Sequence, residues 1–144
     1  MNSVYVFVSR LIRKHTPLLL KDFTEIRYES ELIPKPNHYF PNNKLGGVWL
    51  QYLNKNHKSI AYIRYYTSNG QIGIFSIHNE YQNRGLGTQI LEKATNELRD
   101  KNCKEVWAVS SEFHTFWYNV NNKSFTYSNP VHPSSNEGGY FRKF

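Results

Sequence analysis

Seven consecutive residues, Gln82-Asn83-Arg84-Gly85-Leu86-Gly87-Thr88, have the types and spacing to hold a phosphate or pyrophosphate. Two glycines at a turn let the backbone approach a ligand closely. Behind them Leu86, Ile90, Leu91, Ala94 and Leu98 recur at helical spacing, so the turn opens an amphipathic helix. The first-turn N–H groups of a helix have no internal partners, and the positive end of the helix dipole stands behind them. That combination is an anion site. The other reading of the turn is that its glycines only permit close packing. Two competing phosphate motifs are excluded. The chain has no G-x-x-x-x-G-K-[ST], and Gly85-Leu86-Gly87 runs on into Thr88-Gln89-Ile90 without the third glycine of a dinucleotide fingerprint.

The elements that position this turn can be read around it. Gln71 to His78 is rich in β-branched and aromatic residues, as a strand prefers. Gly46 to Leu53 and Ser59 to Tyr66 read as two earlier strands joined by the polar turn 54–58, and Asn69-Gly70 signals a hairpin into the third. The centre of the chain is therefore an antiparallel meander. Beyond the helix, expected to end around Asn102, Glu105 to Val109 reads as a strand, which makes a right-handed parallel crossover from Gln71 to Val109.

Upstream, Ser3 to Val8 reads as a first strand. Within Leu11 to Leu32, the residues Leu18, Leu19, Phe23 and Ile26 are spaced as one helical face, interrupted near Pro17. Pro34 to Asn43 holds three prolines and three asparagines and reads as a loop. Downstream, Ser111 offers an N-cap for a short helix through Phe113, Phe116, Trp117 and Val120. Phe125 to Tyr127 and Tyr140 to Phe144 read as the last strands. With no repeat and no second domain in view, residues 1–144 are expected to form one domain.

Gln82-x-x-Gly85-x-Gly87 resembles the Q/R-x-x-G-x-G/A signature of the Gcn5-related N-acetyltransferase (GNAT) superfamily. Ile77-His78-Asn79-Glu80-Tyr81 resembles the strand end and turn that precede it. The match is specific over about Gly70 to Phe125, and the first third agrees in order of elements alone. The resemblance implies an α/β (α+β) fold, a mixed and mainly antiparallel central sheet flanked by helices, the acyl-CoA N-acyltransferase fold. It implies acetyl-CoA as cosubstrate and no metal. The backbone of Gln82, Asn83, Arg84, Gly85, Leu86, Gly87 and Thr88 would take the pyrophosphate. That of Phe75 and Ile77 would run along the pantetheine arm, in a gap between the motif strand and the next.

Acetyl transfer from a thioester to a primary amine, by direct attack in a ternary complex, needs mainly positioning, which can supply about 7–11 kcal/mol. General acid–base groups add roughly 10²–10⁴-fold, and a strand N–H would serve the oxyanion, a role the resemblance gives to the backbone near Ile77. The resemblance points to a tyrosine in the short helix as the acid for the departing thiolate. In Phe116-Trp117-Tyr118-Asn119 that is Tyr118, with Trp117 as the other residue for the slot. The family's Y-x-x-x-G-F tail is replaced here by Asn119 to Phe125, which lacks the glycine. Some relatives carry a glutamate midway along the motif strand, and the matching place here is Gln71 or its neighbours, which cannot take a proton. His78 is the candidate base at the strand end, since an unperturbed imidazole titrates near ~6.5. The plainer readings are a packed aromatic for Tyr118 and a surface residue for His78.

Composition bounds the rest. A single cysteine, Cys103, rules out an internal disulfide and favours a cytosolic setting, with Cys103 itself a structural filler. No run approaches the ~20 apolar residues of a membrane span, and Met1 to Arg10 lacks signal-peptide order, so a soluble cytoplasmic protein is expected. The six histidines are scattered without zinc-like spacing, and no G-x-S-x-G elbow occurs. A net charge of +7 would attract any polyanion, CoA or nucleic acid alike. Tyr62, Arg64 and Tyr66 share one strand face and could stack bases, with Ile63 and Tyr65 on the other. The expected function is an acetyl-CoA-dependent N-acetyltransferase, monomeric or homodimeric, with an unidentified amine acceptor. The alternatives are an acyl-CoA-binding module without turnover and a basic nucleic-acid-binding domain.

Overall fold

Alternation of buried and exposed side chains builds the first sheet of the computed structural model, which describes residues 16–30, 47–109 and 125–144. Strand β1 (Thr24–Ser30) is followed by β2 (Gly47–Leu53), β3 (Ser59–Tyr66) and β4 (Ile72–Ile77). They pair antiparallel in the order β1-β2-β3-β4. Helix α1 (Leu86–Asp100) then leads to a second antiparallel sheet, in which β7 (Gly139–Lys143) lies between β5 (Glu105–Val109) and β6 (Thr126–Ser128). The result is a mixed, mainly antiparallel α/β fold. The expected strand 3–8, the loop 34–43 and the short helix from Ser111 lie outside the described residues.

The meander, the motif helix and the closing strands follow the sequence pattern. Leu50 and Tyr52 of β2, Ala61, Ile63 and Tyr65 of β3, and Ile72 and Phe75 of β4 form one cluster with Leu86, Ile90, Leu91, Ala94 and Leu98 of α1. Each such aliphatic side chain removed from water contributes roughly 1.5–3 kcal/mol. Helix α1 stops as its ending predicts. Asn102 adopts φ 66°, and the Cys103 N–H returns to the Leu98 carbonyl at 3.0 Å, closing the last turn. Cys103 packs against the core and donates its thiol to the Thr67 carbonyl at 3.1 Å. Burial pushes that thiol's pKa up, as befits a filler.

Residues 18–30 depart from the helical reading. Leu20–Asp22 make a single 3-10 turn and Thr24–Ser30 is a strand, paired with β2 from Thr24↔Leu53 to Ser30↔Gly47. The cause lies in what β1 turns toward α1. Glu25 and Arg27 face it, and they meet charged partners rather than apolar ones. Arg27 binds Glu97 of α1 through two bonds of 2.8 and 2.6 Å, and Lys93 pairs with Glu25. Two phenols rising from the core complete the array: Tyr65 donates to Glu97 and Tyr52 to Glu25, each at 2.7 Å.

On the opposite face of this sheet, Trp49 and Tyr62 stack at 5.5 Å and the Arg64 guanidinium lies over the rings of Trp49 and Tyr66. Tyr66 is fully buried. These aromatics and the arginine are packed on one another. Among the described residues no helix is long and apolar enough to cross a membrane.

Candidate functional site at the mouth of the split sheet

Strands β4 and β5 run parallel but touch at one end only. The link is a parallel bridge between Gln71 and Trp107, where the Trp107 N–H donates to the Gly70 carbonyl at 3.1 Å. From there β4 stays with β3 and β5 joins β7, so the pair forms a V. The expected parallel pairing of these two strands is present as this single bridge. A register shift between Arg64/Tyr65 leaves Gly73 as the extra residue of β4 just past the apex. The apex is braced by the Trp107 indole, which donates to the Asn69 carbonyl at 3.0 Å and stacks on His132 at 4.3 Å.

Antiparallel pairing makes alternate residues of β4 bond to β3. The His78 N–H donates to the Ile60 carbonyl at 2.8 Å, which puts His78, Ser76 and Ile74 in the bonded register. The main-chain groups of Phe75 and Ile77 therefore point the other way, to the β5 side. The Ile77 carbonyl accepts from the Gln82 side chain at 2.8 Å, and Gln82 also reaches Asn79 Oδ1 at 3.2 Å. Gln82 thus lashes the strand end to the turn.

The turn itself holds two left-handed residues, Asn83 at φ 59° and Gly85 at φ 90°. Asn tolerates that region and Gly is at home in it. Gly85 is the residue before the first turn of α1. No side chain caps the helix there and no carboxylate lies in its first turn. The N–H groups of Leu86, Gly87 and Thr88 consequently meet no competing anion of the helix's own. Gly87 is buried and Gly85 is exposed. The Arg84 guanidinium is turned back onto main-chain carbonyls, to Thr16 at 2.9 Å and Glu80 at 3.4 Å. Its charge stays beside the turn.

The structure brings Phe75, Ile77 and Gln82 through Thr88 together at the open end of the V. His78 lies at the strand end, exposed, its Nδ1 a 3.5 Å acceptor for the Glu80 N–H and its ring edge-on to Tyr81 at 6.4 Å. Tyr118 and Trp117 lie outside the described residues. Sequence reasoning passed over Gln89, whose carboxamide bonds Leu18, Leu20 and Gly85. A polar residue on the solvent side of an amphipathic helix carries no signal of such a role. Among the described residues no group of three or more His, Cys, Asp or Glu could hold a metal ion.

A family model described as the acetyltransferase (GNAT) family matches residues 15–116. No curated protein matches the chain significantly. Three solved structures give the scale of the likeness. A GNAT-family acetyltransferase from Staphylococcus aureus Mu50 is 16% identical, with 67% of each chain covered and a TM-score of 0.55. A putative streptothricin acetyltransferase from Bacillus anthracis, in complex with acetyl coenzyme A, is 12% identical over 90% of this chain and 91% of that one, at 0.54. The PaiA N-acetyltransferase of Thermoplasma acidophilum, in complex with coenzyme A, is 14% identical over 68% and 61%, at 0.53. At such identities the likeness is one of fold.

Proposed function

The chain belongs to the acetyltransferase (GNAT) family, and from that premise we propose that it transfers an acetyl group from acetyl-CoA to a primary amine. The observation that carries the reading is the uncapped start of α1 beside the open end of the β4–β5 V. A diphosphate held by the N–H groups of Leu86, Gly87 and Thr88 would let the pantetheine arm lie against the outward main chain of Phe75 and Ile77. The N–H of Ile77 would then serve the thioester oxygen as charge develops on it. Two solved relatives of the same fold hold coenzyme A or acetyl coenzyme A, which supports the choice of cofactor.

In this reading Tyr118 gives a proton to the departing thiolate and His78 takes one from the attacking amine, directly or through water. The acceptor is an amine of a small molecule or a protein. Calorimetry with acetyl-CoA tests the cofactor half, comparing the wild type with a Gly85→Glu/Gly87→Glu variant. Micromolar binding that the folded variant loses supports the site. No binding by the folded wild type sinks it. A screen of amine acceptors tests the rest, and binding without turnover across a broad set would leave an acyl-CoA-binding module.

A further inference from the structure

The segment before β1 lies across the candidate pyrophosphate turn and is stitched to it by main-chain and amide hydrogen bonds. The Leu18 N–H donates to the Arg84 carbonyl at 2.9 Å. Arg84 Nε returns a bond to the Thr16 carbonyl, also at 2.9 Å. One helix turn further on, the half-buried Gln89 carboxamide fills the place of a peptide group between two chains. Its Nε2 donates to the Leu18 carbonyl at 2.7 Å and to the Gly85 carbonyl at 3.0 Å, while its Oε1 accepts the Leu20 N–H at 2.9 Å. Two carbonyls on one end and an N–H on the other leave a single orientation of the amide that satisfies all three bonds. Apolar contacts reinforce the stitch. Leu18, Leu20 and Phe23 pack on the core, and Phe23 meets Tyr81 edge-on at 5.8 Å.

We infer that Gln89 is a positioning residue for the cofactor diphosphate, acting through Gly85 and the strap Thr16–Leu20. The inference rests on the acetyl-CoA reading above. Gly85 stands at φ 90°, ψ −7° directly ahead of the first-turn N–H groups of Leu86, Gly87 and Thr88, so its conformation sets how the turn presents them. Its carbonyl receives two donors, Gln89 Nε2 and the Gln89 main-chain N–H at 3.3 Å, and both come from one residue. The strap holds the neighbouring Arg84 carbonyl in the same way. A turn fixed before the anion arrives loses less conformational freedom on binding than a loose one. The chain ahead of β1 thereby enters cofactor affinity without touching the cofactor.

Two variants test this. Gln89→Leu removes all three amide bonds at similar volume. Leu20→Pro leaves the Gln89 side chain in place and removes the N–H that its Oε1 accepts, at the cost of part of the Leu20 packing on the core. It suits the backbone, because Leu19 is extended at φ −109°, ψ 128° and Leu20 opens a 3-10 turn. The affinity for acetyl-CoA is read by calorimetry. That for S-acetylpantetheine, which carries the arm without the diphosphate, is read by NMR titration. Gln89→Leu is expected to weaken acetyl-CoA about ten-fold or more and Leu20→Pro about three-fold, fold-changes in keeping with a few modest hydrogen bonds. S-acetylpantetheine should stay within two-fold in both.

Unchanged acetyl-CoA affinity in folded Gln89→Leu overturns the inference. So does a loss that S-acetylpantetheine shares in step, which is the mark of a general structural role. If Gln89→Leu does not fold, Leu20→Pro decides by the same two readings. A wild type that binds no acetyl-CoA is a different result, and it fails the cofactor reading itself.

Discussion

Gly70 and Glu105 meet backbone to backbone at the apex of the V. Gly70 stands at φ 79°, and a Cβ placed on it would fall onto the Glu105 carbonyl oxygen. Any other residue therefore meets two obstacles at one point, a left-handed conformation and the main chain of β5. This is where β4 and β5 are joined before they part, so the contact sets the angle at which the open end can present the β4 main chain.

Gly70→Ala should consequently cost about 2–5 kcal/mol. The left-handed backbone contributes roughly 1–2 and the forced separation of the strands roughly 1–3. Urea unfolding monitored by circular dichroism measures it. A loss under about 0.5 kcal/mol would mean that the apex relaxes freely and does not set the V.

The polar array under β1 gives the fold an acid-sensitive edge. The hydrogen bonds from Arg27 hold the Glu97 carboxyl below its ordinary value of 4.5, burial opposes them, and Tyr65 assists. For Glu25 burial acts upward, but Lys93 and Tyr52 together outweigh it and its pKa is also lowered. Both groups bind protons more readily unfolded than folded. Their stabilisation is therefore complete above the unfolded value near 4.5 and is lost as pH falls through the lower folded values. Glu97→Gln should cost about 1–2 kcal/mol at pH 7, discounted for the part-exposed Arg27. It should also flatten the decline of stability between pH 5 and pH 3. A decline as steep as the wild type's would assign the acid sensitivity elsewhere.

The same array explains what the sequence could and could not reveal. In β2, β3 and β4 the side chains turned toward α1 are apolar or phenolic, Leu50, Tyr52, Ile63, Tyr65 and Phe75, so period-two alternation announces the strands. In β1 the side chains turned that way are Glu25 and Arg27, stabilised by α1 partners 68 and 70 residues along the chain. The alternation of Thr24, Ile26 and Tyr28 against three charges looks like noise until those partners are known. Leu18, Leu19, Phe23 and Ile26 then offer a helical spacing by coincidence. The left-handed turn ahead of α1 was legible because its geometry is local: Asn83, Gly85 and the helix behind them lie close together in the chain. The strap was not, because Leu18 and Gln89 are brought together only by the tertiary fold.

Asn83 and Gly85 are both left-handed, yet they should respond differently to substitution. Gly85→Ala forces a Cβ into φ 90° and is expected to cost about 1–2 kcal/mol while weakening acetyl-CoA about ten-fold. Space is not the issue, since a Cβ at Gly85 would meet only Gln89 Nε2, at 3.7 Å. Asn83→Gly relieves a mild strain and loosens the unfolded chain, two opposing effects that should leave stability within about 0.5 kcal/mol. Thermal melts with and without acetyl-CoA read both quantities. Equal behaviour of the two variants would argue that the turn's conformation does not matter to binding.

Tyr118 is the remaining proposal whose failure would change the mechanism. Its assignment rests on its place in Phe116-Trp117-Tyr118-Asn119, after the strand that follows the motif helix. A phenol that protonates the departing thiolate acts in the transition state alone, so its loss should leave acetyl-CoA binding within two-fold. Tyr118→Phe should then lower kcat by roughly 10²–10³, at the lower end of general acid–base contributions, once an acceptor is in hand. The substitution retains the ring and removes only the hydroxyl, whereas Tyr118→Ala would remove both. Trp117→Phe is the matching control, expected to leave kcat within a few-fold. If Tyr118→Phe keeps full turnover, the thiolate is protonated by water or by a different group. If Tyr118→Phe loses acetyl-CoA affinity in proportion to rate, the phenol binds the cofactor and is no acid.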